Sequence, residues 1–105
     1  MAVIKAADIL AQVTRAKARV THMDEYFARE VQNDLDHSVE ERLNLSLAWS
    51  IQLSAIRSDL EDYVRSLPVA VRNKQAKACA QAKAYAEHIE AVHVPACRNW
   101  IRSRD

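Results

Sequence analysis

Acids, histidines and a thiol occur in two short stretches that helix topology is expected to bring to one pole of the molecule. They are Asp34, Asp36 and His37 in the first stretch and Glu90, His93 and Cys97 in the second. An acid and a histidine three residues apart share one face of an α-helix, as in the Glu-x-x-His pairs of di-iron bundles, and a nearby thiol favours zinc. The metal-binding alternative therefore uses His37, His93, Glu90 and Cys97. Di-iron sites need further glutamates at bundle depth, which the apolar seams do not offer, so we predict no cofactor.

Basic side chains supply a second candidate chemistry, which is contact with phosphate groups. They are Arg15, Lys17 and Arg19 in the first predicted helix and Arg72, Lys74 and Lys77 in the third. If these two helices adjoin, the six cations form one basic flank for a nucleic-acid backbone. The sequence has no glycine turn for a helix-turn-helix, and we expect no exposed aromatic residues for stacking on bases. Nucleic-acid binding is therefore an alternative that we do not favour.

The spacing of Arg15 and His22, with six residues between them, resembles the Arg-x(4–6)-His signature of the helical HEPN ribonucleases. That resemblance implies His22 as a general base and Arg15 as the group that holds the scissile phosphate. It covers two residues of 105, and Ala16 stands where the family usually has a polar residue. We predict that the protein is not an enzyme.

The elements that position these residues are predicted to be helices throughout. The chain of 105 residues contains no glycine, two prolines and 18 alanines. Sandwiches, barrels, dinucleotide-binding folds and P-loops need glycine in their turns or phosphate cradles, whereas alanine is the best helix former. A chain of this length makes one domain. We therefore predict a single all-α domain over residues 1–105.

Hydrophobic periodicity predicts three long helices followed by a short C-terminal one. The first covers about residues 2–33, and the second begins at Ser38, which opens a capping box. The third begins at Pro68 and ends near Val94, because Pro95 disfavours helix at the residue before it. Short connections make neighbouring helices antiparallel. The prediction is an elongated antiparallel three-helix bundle with a short C-terminal helix.

The second predicted helix has more apolar surface than one neighbour needs. Its core seam consists of Leu45, Trp49, Leu53, Ile56, Leu60, Tyr63 and Leu67, and a separate ridge with a spacing of four consists of Val39, Leu43, Leu47 and Ile51. A face this wide makes the helix central, with neighbours on two sides. A second copy of the chain would cover the ridge, so we expect a homodimer.

Charge is distributed unevenly along a chain whose net charge is only +1. Residues 24–41 hold seven acids against one arginine, which favours docking onto a basic surface of a partner. Tryptophan is enriched at interface hot spots, and the cores of interfaces contain large apolar anchor residues. The predicted partner-binding residues are therefore Asp34, Asp36, Glu40, Glu41, Leu43, Leu47, Trp49, Ile51 and Trp100.

These patterns favour a small non-enzymatic helical protein-protein interaction module. An adaptor, an inhibitor or an accessory protein of a phage or mobile element all fit, and no motif identifies the partner. No apolar run approaches the roughly 18 residues of a membrane span, and no secretory signal opens the sequence. We therefore expect a cytoplasmic protein in which Cys79 and Cys97 are reduced.

Overall fold

The computed structural model describes residues 3–32 and 38–102. It contains five α-helices and one π-helical turn: α1 (Ala6–Gln32), α2 (Val39–Ser66), α3 (Val69–Lys74), α4 (Ala76–His88), the π turn (Ile89–His93) and α5 (Val94–Arg102). No strand occurs within the two described ranges. The predicted all-α bundle is therefore confirmed. None of the helices in these ranges is long and apolar enough to cross a membrane.

Both long helices begin with side-chain caps. The Asp8 carboxylate accepts the backbone N–H of Lys5 at 2.8 Å, so an acid three residues into the first turn satisfies a donor that has no partner within the helix. At the start of α2, the Ser38 hydroxyl accepts the backbone N–H of Glu41 at 3.1 Å. The start predicted from Ser38 is confirmed, and it fixes the register of every α2 residue discussed below.

The core lies along a single axis between three antiparallel runs of helix. Its α1 members are Ile9, Val13, Ala16, Val20 and Phe27; its α2 members are Trp49, Leu53, Ile56 and Leu60; its α4 members are Ala78, Ala82 and Ala86. The three alanines are small, which lets α4 approach its neighbours closely. Helix α2 packs against α1, α4, the π turn and α5, so its predicted central position is confirmed. The molecule measures 54 × 18 × 16 Å.

The third run of helix differs from the predicted third helix at two residues, Gln75 and Pro95. Gln75 interrupts it with a turn, which separates α3 from α4. The prediction that helix ends near Val94 is wrong, because α5 continues through Pro95. In the π turn the Val94 N–H bonds to the Ile89 carbonyl, five residues back. This wider turn accommodates a proline ring that would clash with the Ala91 carbonyl in an unbroken α-helix.

The π turn also changes which residues reach the core. An unbroken α-helix would place Val92 on the core side after Ile89. The extra residue in the wider turn rotates the chain, so that Val92 is 51% exposed while Val94 and Cys97 are buried. Cys97 then lies against α2, where the buried Ser46 hydroxyl donates to its carbonyl at 2.7 Å. The turn thereby positions α5 on α2.

Candidate interaction surface

Four large aliphatic side chains of α2 are exposed, and together they form the surface that we call the α2 ridge. Val39, Leu43, Leu47 and Ile51 are each between 49% and 60% exposed. Residues four apart lie one above another on a helix, so the ridge is continuous. It lies on the side of α2 that faces away from Leu53 and the rest of the core. The ridge that was predicted to be covered by a second copy of the chain is therefore exposed in the structure.

The stretch of α2 that carries three of the four ridge residues contains no charged side chain. From Leu43 to Ile56 the sequence contains no acidic or basic residue, although 28% of the chain is charged. The side chains that alternate with the ridge are small or neutral: Asn44, Ser50, Gln52, Ser54 and Ala55. Depletion of charge around exposed apolar residues is typical of the core of a protein interface. Regional charge sums miss this stretch because they average over both sides of a helix.

Acidic residues border the ridge at the N-terminal end of α2. Glu40 and Glu41 are both exposed in the first turn. Their position near the helix N-terminus is electrostatically favourable, so they stabilise α2 as well as giving this end of the ridge a negative charge. The other predicted acidic docking residues, Asp34 and Asp36, lie outside the described residues, as does His37.

The two tryptophans that were predicted to anchor a partner have different outcomes. Trp49 is only 9% exposed and belongs to the core. Its ring stacks on Phe27 with 5.3 Å between ring centroids, and its Nε1 donates to Asp24 Oδ1 at 3.2 Å. Because its ring is buried and its polar atom is bonded within the chain, Trp49 belongs to the core of this structure and not to the exposed surface for which it was predicted. The Trp100 side chain lies outside the described part of the chain.

Asp24 and His93 form a polar contact that sequence analysis did not find. Asp24 Oδ2 lies 3.0 Å from His93 Nδ1, while the other carboxylate oxygen accepts from Trp49. One carboxylate of α1 is thus joined to α2 and to the π turn. The contact spans 69 residues of sequence. No local spacing signals such a pair, because its geometry depends on the rotation that the π turn introduces.

Aromatic and imidazole rings extend from this pair along α4. The His93 ring meets that of His88 edge-on at 5.3 Å, and His88 stacks on Tyr85 at 5.9 Å. The Lys17 ammonium lies 5.4 Å from the Tyr85 ring centre. Burial raises the pKa of Tyr85, and the negative charge of Asp24 raises it further. Tyr85 therefore remains a neutral phenol across the physiological range.

The thiol nearest in sequence to the Asp24–His93 pair is not placed to act as a nucleophile. Cys97 is the nearest thiol in sequence, one turn after His93, but it is completely buried. Its Sγ donates to the His93 carbonyl at 3.4 Å, so it faces the backbone rather than solvent. Buried thiols of this kind act in packing, because reactive cysteines need exposure and a positive environment. The pair thus has the arrangement of a structural link between helices.

Of the predicted metal ligands that the structure describes, Glu90 and His93 contact different helices, while His37 lies outside the described residues. Glu90 Oε1 lies 2.7 Å from Arg57 Nε on α2, whereas His93 turns to Asp24 on α1. The Glu-x-x-His geometry requires an α-helix, and the wider π turn directs residues three apart to different neighbours. Within the described ranges, no three His, Cys, Asp or Glu side chains are grouped as a metal site would require.

The predicted basic flank of α1 is divided between two sides of the helix. Arg15 and Arg19 line a cleft between α1 and α2, where Arg19 pairs with Asp59 at 2.9 Å. Lys17 lies over Tyr85 on the α4 side. Arg15 and His22 are both exposed on α1, so the resemblance to the HEPN signature still rests on spacing alone.

The cations of the third run are also separated. Lys74 and Lys77 are exposed near the junction of α3 and α4. Arg72 is half-buried and lines a cleft between α2, α3 and α4 with Arg65, Lys83, Glu61 and Glu87, where three cations face two acids. The structure thus places these residues on several faces rather than along one continuous phosphate-binding surface.

The α2 ridge is consequently the feature with the clearest functional geometry. Comparison with models of known protein families, with curated proteins and with solved structures finds no match to this chain.

Proposed function

We propose that this chain is a non-enzymatic protein-binding module and that the α2 ridge is its docking surface. The observation that carries the proposal is a row of four half-exposed aliphatic side chains, of which Leu43, Leu47 and Ile51 lie within a run of 14 uncharged residues, Leu43 to Ile56. Monomeric proteins rarely expose large contiguous apolar patches to water. Proteins that do expose such a patch usually bind a partner there.

The free energy available from this surface fits a reversible interaction. Completing the burial of one half-exposed leucine, isoleucine or valine contributes about 1 kcal/mol. Four such side chains on this chain, matched by a comparable apolar surface on a partner, contribute about 8 kcal/mol before the cost of association is subtracted. That cost is itself about 4 kcal/mol or more. The ridge therefore supports a regulated contact such as that of an adaptor, inhibitor or accessory protein.

The charges at the end of the ridge support orientation of the partner. Glu40 is exposed one turn before Leu43. Charges at the rim of an interface mainly steer encounter and fix orientation, while the apolar centre supplies affinity. We propose the cytoplasm as the compartment, which fits the two free thiols, Cys79 and Cys97.

Site-specific photocrosslinking in the cells that express the protein tests the docking surface. A photoreactive amino acid replaces Leu47 at the centre of the ridge, and the matched control carries it at Val69, which is 62% exposed on α3. We expect a discrete crosslinked product from position 47 that position 69 does not give. Equal crosslinking from both positions, or none from position 47, would overturn the proposal. Mass spectrometry of the product identifies the partner.

A further inference from the structure

We infer that the occupant of the α2 ridge is a second copy of this chain, with the two α2 helices antiparallel across a two-fold axis at Leu47. This inference rests on the proposed docking surface and names its partner. A two-fold interface uses the same patch on both copies, so the patch must be complementary to itself. The charge pattern and the spacing of the ridge both satisfy that requirement.

The charge pattern of α2 distinguishes the antiparallel arrangement from the parallel one. The acids near the ridge are at one end only, at Glu40 and Glu41, where Arg42 follows them, and the next 14 positions, residues 43–56, are uncharged. A parallel pair would place Glu40 beside its own copy. An antiparallel pair centred on Leu47 separates the two copies of Glu40 by roughly 20 Å along the helix axis. That distance exceeds the screening length of about 8 Å at physiological salt, so like charges do not oppose this arrangement.

The spacing of the ridge fits the commonest class of helix packing. Ridges formed by residues four apart interdigitate when two helices cross at about −50°. In the antiparallel register Leu47 meets its own copy, and Leu43 of one copy meets Ile51 of the other. Ser50 flanks the ridge with its hydroxyl bonded to the Leu47 carbonyl, and such a small side chain lets two helix backbones approach.

The extent of the ridge predicts a weak dimer. Leu43 to Ile51 covers about two turns, which gives an interface smaller than the standard size of stable complexes. We expect a dissociation constant on the order of 1 mM. A dimer in this range exchanges at cellular concentrations.

Sedimentation equilibrium of the purified full-length chain from about 5 µM to 1 mM measures this association. We expect the mass to rise from that of the 11.9 kDa monomer toward twice that value. Leu47→Glu places two carboxylates against each other at the two-fold axis and should weaken association at least about 100-fold. Val69→Glu is the matched control and should leave the dimer unchanged. Circular dichroism and melting temperature must match in all three proteins, which is expected because both sites are exposed.

A pair of complementary variants tests the register. Leu43→Lys and Ile51→Glu should each weaken self-association when the proteins are measured separately. Mixing the two variants should restore a dimer, because the antiparallel register brings the new lysine of one chain against the new glutamate of the other. In the antiparallel register the two variants should bind each other more tightly than either binds the wild-type chain. In a parallel dimer the order is reversed, because the mixed pair then has a lysine and a glutamate that each face an apolar residue, whereas a variant paired with wild type has only one such contact.

The outcomes separate this inference from the proposed function. A chain that stays monomeric at 1 mM, or a dimer that Leu47→Glu does not weaken, overturns the inference. If position 47 then crosslinks a different protein in cells, the docking surface stands and only the identity of its occupant changes. A dimer that mixing does not restore overturns the antiparallel register.

Discussion

Asp24 Oδ2 lies 3.0 Å from His93 Nδ1, and this contact joins the middle of α1 to the π turn. Asp24 also accepts the indole N–H of Trp49 on α2. A single carboxylate therefore connects three helical segments at the level where the third run changes from α to π geometry. Both side chains of the Asp24–His93 pair are partly buried, which makes the contact stronger than an ion pair on the surface.

Replacing Asp24 should destabilise the fold more than replacing an acid in an exposed ion pair. Asp24→Ala leaves the buried Trp49 indole N–H without its acceptor and removes the partner of His93. We expect a loss of about 2 kcal/mol in the free energy of unfolding, measured by urea denaturation at pH 7. Asp59→Ala is the matched control, because the Arg19–Asp59 pair is more than half exposed and should contribute less than about 1 kcal/mol. Equal losses in the two variants would contradict the assigned role of Asp24.

The π turn predicts an unusual response to changes near Pro95. Pro95→Ala should change stability by less than about 1 kcal/mol, because the wider turn already accommodates the ring. Deletion of Val92 removes the extra residue and rotates α5 by about 100°, which turns Cys97 out of the core. We expect that deletion to cost about 3 kcal/mol or more. Thermal and urea unfolding of both variants measure these changes, and a harmless deletion would show that α5 does not depend on the π turn.

Stability should fall at alkaline pH because of two tyrosines. Burial and the charge of Asp24 raise the pKa of Tyr85 above its ordinary 10.0, and burial followed by the charge of Asp8 raises that of Tyr63. Above pH 10 the unfolded chain loses phenol protons that the folded chain keeps, so the free energy of unfolding decreases as pH rises. The contribution is fully present below pH 10.

Tyr85→Phe and Tyr63→Phe should each reduce this alkaline decline. Phenylalanine has no proton to lose, so the difference between wild type and variant should grow only above pH 10. Urea denaturation between pH 8 and 11 measures the effect. A decline of the same slope in wild type and variants would show that these phenols do not contribute.

Binding to nucleic acid should be weak and only slightly dependent on salt. The cations Arg15, Lys17 and Arg19 lie on two sides of α1, so few of them can contact one phosphate backbone together. We expect gel-shift titrations with duplex DNA and with RNA to give a logarithmic salt slope below about 2. A steep slope that charge reversal at Arg15 and Arg19 abolishes would favour the nucleic-acid alternative.

Much of the fold follows from local signals in the sequence. These signals are the absence of glycine, the apolar seam from Ile9 to Phe27 and the cap at Ser38. Each of them acts within a single helix. The seam of α2 and its opposite ridge follow from the same periodicity. Helix α2 therefore begins at its predicted residue and has its predicted central position.

The third run and the polar contacts depend on interactions that local signals do not contain. Pro95 ordinarily predicts a helix boundary, and only the π turn before it allows helix to continue. The divergence of Glu90 and His93 follows from that same turn. Tryptophan occurs both in protein cores and as an interface anchor, so the residue type of Trp49 does not distinguish the two. Its burial against Phe27 depends on how α1 and α2 are aligned.

The narrow cross-section of the molecule determines which residues can change without disturbing the core. The bundle extends only 18 × 16 Å perpendicular to its long axis, so its three runs of helix lie side by side around one core. The space between the helices is filled by a single layer of interlocking side chains, several of them alanines. A substitution in that layer is therefore felt by all three runs of helix at once. Evolution can alter this protein's behaviour mainly by changing its outer faces, where a substitution leaves the single core layer intact.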